Sequence, residues 1–295
     1  MLKVLFINNF NMPDYLSNML YIGLASRKDI ELHTYAAPFH LIKGVGWDHN
    51  FIINSLWEGV VKTPGFTVSG KVEKGPIIDY PQGIKFKIHE KFYDKIIFSG
   101  IWRDQTFLED VLKCYDKDNI IFIDGDDHEL VIEQLVSVGR YYKRELLSDR
   151  TDISPISFAV PDCVLTKTTK LNKTQLFGTI YPGKVETYIF KTEEEYYNDY
   201  LKSYYGITFK KGGWDCMRHY EILANKCIPY FIGLEECPAN ILTNWPKKLL
   251  LYTNEYAKSQ IIPHDYEIIL EELFDYVKKN MTTSALANYI IQTSE

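Results

Sequence analysis

Between Phe209 and Ile232 the chain gathers three lysines, two glycines, an arginine, a histidine and a glutamate, most of them within a dozen residues. Lys210, Lys211, Gly212 and Gly213 read as a basic loop, Asp215 as the N-cap of a following helix, and Ile228–Ile232 as an apolar strand. Such a loop turns unpaired backbone N–H groups and the positive end of the helix dipole toward an anion, and its glycines let the backbone come close to a bound group. Arg218 adds formal positive charge at the same point, beside the two lysines. Glu221 lies one turn further along, on a neighbouring part of the helix surface, where a carboxylate accepts hydrogen bonds from hydroxyls. His219, early in the helix, is either a ligand for sugar or phosphate or a packed helix histidine. Lys184, just after Tyr181-Pro-Gly183 at a strand end, is a further phosphate candidate or simply part of a turn.

The candidates for proton transfer sit in the other half of the chain. Asp126, Asp127 and His128 follow a buried strand, and Asp14 follows the first strand in an equivalent place. A carboxylate there can take a proton from an attacking hydroxyl; as caps and turn formers the same residues would be structural. Asp124-Gly-Asp126 also has the spacing of a metal site, but it lies outside the half that carries the basic loop. No such acidic pair occurs at a strand-to-loop junction near that loop. Phosphate charge is therefore expected to be met by N–H groups, helix dipole and Arg or Lys, without a metal or other cofactor. Arg144 and Glu145 bracket the boundary between the halves or form a local ion pair.

The elements that must position these residues alternate strand and helix. Leu2–Ile7 is a continuous apolar run, the mark of a strand covered on both faces of a parallel sheet. A helix over 15–25 and a strand over 30–36 follow, which is how a doubly wound domain opens. The GxGxxG dinucleotide fingerprint is missing, which argues against a nicotinamide-binding protein. Residues 50–61 are expected to be helical and 66–81 loop or short strands. Strands at 95–100 and 119–124 come with helices near 105–115 and 129–138, and 155–161 reads as a crossing segment. The pattern then restarts. It has a strand over 175–180, a helix over 192–204 opened by a Thr192/Glu195 capping box, a short strand over 207–209, and then the focal helix and Ile228–Ile232. A short helix over 237–244, a strand over 248–253 and a helical tail from Asp265 complete it. The fold class expected is α/β, two Rossmann-like domains facing a cleft, divided as 1–154 and 155–295.

The chain has 295 residues, 46% hydrophobic and 24% charged, with a formal net charge of −6, as in ordinary soluble globular proteins. That balance offers no global field for nucleic acid or an anionic membrane. Five scattered cysteines give neither a disulfide framework nor a zinc-ligand set, and fit a reducing compartment. No signal peptide or span of transmembrane length is legible, so a cytoplasmic protein is expected, in the host cytoplasm if viral.

The stretch Gly213-Trp-Asp-Cys-Met-Arg-His-Tyr-Glu-Ile-Leu-Ala-Asn-Lys-Cys-Ile-Pro-Tyr resembles the donor-site motif of GT-B-fold glycosyltransferases, with Arg218, Glu221, Ala224 and Pro229 in the motif's places. Lys226 stands where the family often has glycine. The C-terminal half is also similar to uncharacterised glycosyltransferase-like proteins of bacteria and viruses, while the N-terminal half shares only the general fold pattern. The resemblance implies a two-Rossmann fold and a nucleotide-diphosphate sugar as donor substrate. Glu221 would bind the donor ribose, and the helix N-terminus with basic residues would hold the diphosphate. The acceptor would be a glycan or polysaccharide, or, against the acidic net charge, a modified DNA base. A nucleotide-sugar-binding protein without transfer activity, or an epimerase on paired Rossmann domains, would use the same donor residues.

Overall fold

In the computed structural model, residues 1–8, 14–36, 38–44 and 67–293 are described. The fold is α/β, built on two fully parallel sheets. The first has seven strands in the order β3-β2-β1-β4-β5-β6-β7. They are β1 Leu2–Ile7, β2 Ile30–Thr34, β3 Ile77–Ile78, β4 Lys95–Ser99, β5 Ile120–Asp124, β6 Arg140–Lys143 and β7 Ile153–Pro155. The second has three, β8 Gln175–Phe177, β9 Ser203–Phe209 and β10 Ile228–Ile232, in the order β10-β9-β8. The apolar runs of β1, β4 and β5 are buried from both sides, as strands in the middle of a parallel sheet must be.

Helices cover both sheets. Among the described residues, those of the first half are α1 Tyr15–Ser26, α2 Pro81–His89, α3 Leu108–Cys114 and the single turn α4 Glu133–Val136. In the second they are α5 Glu193–Lys202, α6 Met217–Ala224, α7 Lys247–Lys258, α8 Tyr266–Asn280 and α9 Thr283–Gln292. α1 is buried from Leu16 to Leu24 because it lies between the first sheet and α9. A Cβ on Gly23 would stand 2.0 Å from the Thr283 carbonyl oxygen, so the contact requires glycine there. The last helix thus packs on the first half. One hydrophobic cluster runs from Phe6 and Leu16 to Trp214, Tyr220 and Leu273, joining the two sheets through a common core. Among the described residues no helix is long and apolar enough to cross a membrane.

Several elements differ from the sequence expectation. Residues 248–253, expected as a strand, belong to the helix α7. Its apolar triplet Leu249–Leu251 is part of a twelve-residue helix that buries Leu250, Thr253, Asn254 and Ala257, at helical spacing. Asn254 then does what a further strand would do at the edge of β10. Its side chain accepts from the Phe231 N–H at 3.0 Å and donates to the Phe231 carbonyl at 2.6 Å. The helix expected over 129–138 shrinks to α4, because Val131 and Ile132 pack sideways against the core beneath the first sheet. Residues 237–244 form turns after a 3-10 turn at Leu234–Glu236. The capping box of α5 is present, with both reciprocal bonds made. The helix expected over 50–61 lies outside the described residues.

Candidate functional site

The carboxyl ends of the two sheets converge. The loop after β5 (125–128) and the turn after β6 meet the loop between β9 and α6, and Arg144 is the centre of that meeting. Its Nε donates to the Gly125 carbonyl at 2.8 Å, and Nη1 to Glu145 at 2.8 Å and to the Asp215 carbonyl at 2.7 Å. Nη2 is paired with Asp127. The guanidinium lies 4.6 Å from the centre of the Phe158 ring. It is buried, and it ties three backbone segments together.

The basic loop differs from the free anion cradle expected of it. The N–H groups of Trp214 and Asp215 both donate to the Glu145 carboxylate, each at 3.1 Å. The anion that this loop receives is thus a side chain of the first half. The two glycines serve the same contact: a Cβ on Gly213 would fall 2.4 Å from Glu145 Oε1, and one on Gly212 2.3 Å from Asp127 Oδ2. Asp215 does not cap the helix. The N-cap is Cys216, without a side-chain bond. The Asp215 carboxyl turns inward instead and accepts from the Phe158 N–H at 2.6 Å. Burial pushes its pKa up to about 7, against the pull of Arg144 and that N–H group.

His219 is fully buried. Nε2 is 2.9 Å from the Trp214 carbonyl and Nδ1 is 2.7 Å from the Thr208 hydroxyl, so both nitrogens serve the chain itself. Burial depresses its pKa to about 3, leaving a neutral ring that pins the loop to β9. Trp214 is a core residue, with Lys210 Nζ 5.1 Å from its ring centre. Lys210, Lys211 and Lys184 are exposed on the rim, Lys184 lying over Tyr181 at 4.3 Å.

Arg218 stands apart from this lock. Its Nη2 donates to the Tyr188 hydroxyl at 3.2 Å, whereas Nη1 is buried without a hydrogen-bond partner among the described residues. Among those residues it forms no ion pair with a carboxylate. A guanidinium is always charged, and leaving such a group buried and unpaired is costly. One turn on, Glu221 accepts from Tyr196 at 2.6 Å and from Thr67, a residue of the first half. Burial raises its pKa, which those two hydroxyls and Arg218 partly counter.

The acidic candidates separate. Asp14 is buried and caps α1, accepting from the Ser17 N–H at 2.9 Å, and its other oxygen meets Arg103 at 3.1 Å. Asp127 is engaged by Arg144 at the junction. Asp126 is half-buried, 2.5 Å from Arg103 and 3.7 Å from His128 Nε2. Burial raises its pKa, opposed by Arg103 and reinforced by Asp124 and Asp14. Asp124 points into the core, bonded to Lys143 (2.9 Å), Tyr141 (2.7 Å) and Trp102 (2.9 Å), so the Asp-Gly-Asp spacing is not a pair of cooperating ligands. The acid group and the Arg218 helix flank the start of α1. Asp14 belongs to the first, and its neighbour Tyr15 lies within electrostatic reach of Glu221 and Cys216.

Arg103, Thr67, Tyr188 and Tyr196 escaped the sequence reading. Arg103 alone had a usable signal, a charged residue three positions after the Gly100 that ends a buried strand. No family model matches the chain, and no curated protein matches it. A crystal structure of Acinetobacter baumannii MurG aligns over 99% of this chain and 99% of its own, at a TM-score of 0.41 and 8% sequence identity.

Proposed function

We propose that the chain is a glycosyltransferase that moves a sugar from a nucleotide-diphosphate sugar to the hydroxyl of a glycan or other acceptor. The observation that carries this reading is Arg218, a partly buried guanidinium whose Nη1 is buried without a hydrogen-bond partner and which has no carboxylate partner among the described residues, one turn before Glu221. A diphosphate is the anion that such a group fits, and its affinity for Arg218 rises as the sugar–phosphate bond breaks and charge gathers on the leaving oxygen. The exposed lysines Lys184, Lys210 and Lys211 supply further positive charge at the rim. Gly212 and Gly213 contribute through the shape of the loop, while its Trp214 and Asp215 amides are engaged by Glu145. Glu221 accepts from the ribose hydroxyls. Asp126 takes the acceptor's proton as its oxygen attacks the anomeric carbon, and the nucleoside diphosphate leaves. Phosphate charge is neutralised by these side chains, without a metal.

Calorimetric titration with UDP, GDP and dTDP, with and without EDTA, tests this. One of them should bind in EDTA, and Arg218→Met should weaken that binding by about one to two orders of magnitude, the value of a charge-assisted contact. Failure of all three to bind would refute the proposal, and unchanged binding by Arg218→Met would refute the role of Arg218.

A further inference from the structure

α2 and α3 pack side by side and run toward the amino ends of β4 and β5, the opposite rim of the first sheet from the candidate site. Three side chains of complementary chemistry meet where the two helices end. Asp110 and Cys114 stand four residues apart on α3, hence on one face of it. His89, the last residue of α2, lies between them. Its Nδ1 is 3.6 Å from Cys114 Sγ, and its Nε2 is 3.3 Å from Asp110 Oδ1. Lys85, one turn before His89, meets the other oxygen of that carboxylate at 3.2 Å. Thiol, imidazole and carboxylate thus follow one another in the order by which a base activates a sulfur nucleophile and a third group orients the base.

Each member is in a state to serve. Desolvation opposes the ionised form of Asp110, but Lys85, His89 and Lys113 outweigh it and hold the carboxyl below its ordinary value. A carboxylate at Nε2 favours the tautomer with its hydrogen on that nitrogen, which leaves the Nδ1 lone pair to accept the thiol proton. The His89 side chain is 48% exposed and Cys114 is partly exposed, so the sulfur and its base both lie at the surface. The other four cysteines lack this arrangement. Desolvation pushes the pKa of Cys163, Cys216, Cys227 and Cys237 up, that of Cys227 to about 12. Among the described residues, none of the four is hydrogen-bonded to an imidazole.

We propose that Cys114 is a modification site, a base-assisted thiol that forms mixed disulfides with low-molecular-weight disulfides. His89 Nδ1 takes the thiol proton, and the Cys114 sulfur attacks one sulfur of the reagent. The reagent's S–S bond breaks as the new one forms. Cys114 is oxidised, and the departing half is reduced and carries away the proton held by His89. This chemistry lies apart from Arg218 and Glu221 and does not depend on the glycosyltransferase reading. Stopped-flow labelling of the intact folded chain with substoichiometric dipyridyl disulfide, followed by peptide mass spectrometry, tests it. Cys114 should carry most of the label, and Cys114→Ser should remove the fast phase. His89→Gln should slow the labelling of Cys114 about tenfold, the loss of a positioned base, and change its pH profile, which a merely supporting side chain would leave alone. Asp110→Asn keeps the shape of the side chain and should slow labelling less, so it probes the same three groups should His89→Gln fail to fold. The proposal is overturned if another cysteine is labelled first, if Cys114→Ser keeps the fast phase, or if both His89→Gln and Asp110→Asn label at the parent's rate with the parent's pH profile.

Discussion

Asp215→Asn should make the protein less sensitive to pH, and the size of the change follows from its surroundings. In the folded chain the Asp215 carboxyl is buried beside Arg144, Glu145, Tyr220 and the Phe158 N–H, and its pKa is about 7 against an ordinary 3.8. The folded state thus binds the proton more tightly than the unfolded one. This contribution to stability is fully present below pH 3.8 and is lost as the pH climbs to 7. The shift of about three units corresponds to about 4 kcal/mol, of which about 3 kcal/mol falls between pH 5 and pH 8. Asparagine keeps an oxygen for the Phe158 N–H and cannot ionise. Urea unfolding of both proteins at pH 5 and pH 8 should therefore show the variant gaining about 3 kcal/mol relative to its parent over that interval. Shifts common to other groups cancel in the difference. Parallel losses in the two proteins would refute the claim that Asp215 holds its proton at the junction.

Two further substitutions probe the same architecture. Gly213→Ala pushes a methyl group into Glu145 and Arg144, which are fixed by their own bonds, and should cost about 1–3 kcal/mol in denaturant unfolding. Lys143→Met leaves Asp124 buried without its countercharge. It should destabilise by about 3–5 kcal/mol, and adding Asp124→Asn should restore part of that loss in thermal melts.

The parts of this fold that were legible in the sequence are those where one physical demand acts alone. A strand covered on both faces has to be apolar throughout, so β1, β4 and β5 declared themselves, and Thr192 with Glu195 declared a helix start. Lys248-Leu-Leu-Leu-Tyr-Thr253 did not, because a short apolar run suits a strand and a buried helix equally. Its state was decided by Asn254 reaching the edge of β10, a contact no local pattern records. The basic loop shows the same limit at the site. Glycines and amide N–H groups are what an anion cradle needs, and the sequence has them. That Glu145 is the anion depends on two sheets meeting, which spacing along the chain does not encode. Arg218 and Glu221 were legible as a pair on one helix, and the hydroxyls of Thr67, Tyr188 and Tyr196 around them were not.

The packing of α9 against α1 has a consequence for the order in which the molecule can be made. α1 is buried along most of its length, and its outer side is covered by α9, where Leu286 and Ile290 are buried, some 260 residues downstream. During synthesis the first sheet and its helix leave the ribosome long before their cover exists. That half must wait, with its helix open to its surroundings, until the residues of α9 have been translated. Loop closure over such a separation is slow, and a nascent chain in this state is a natural client for chaperones.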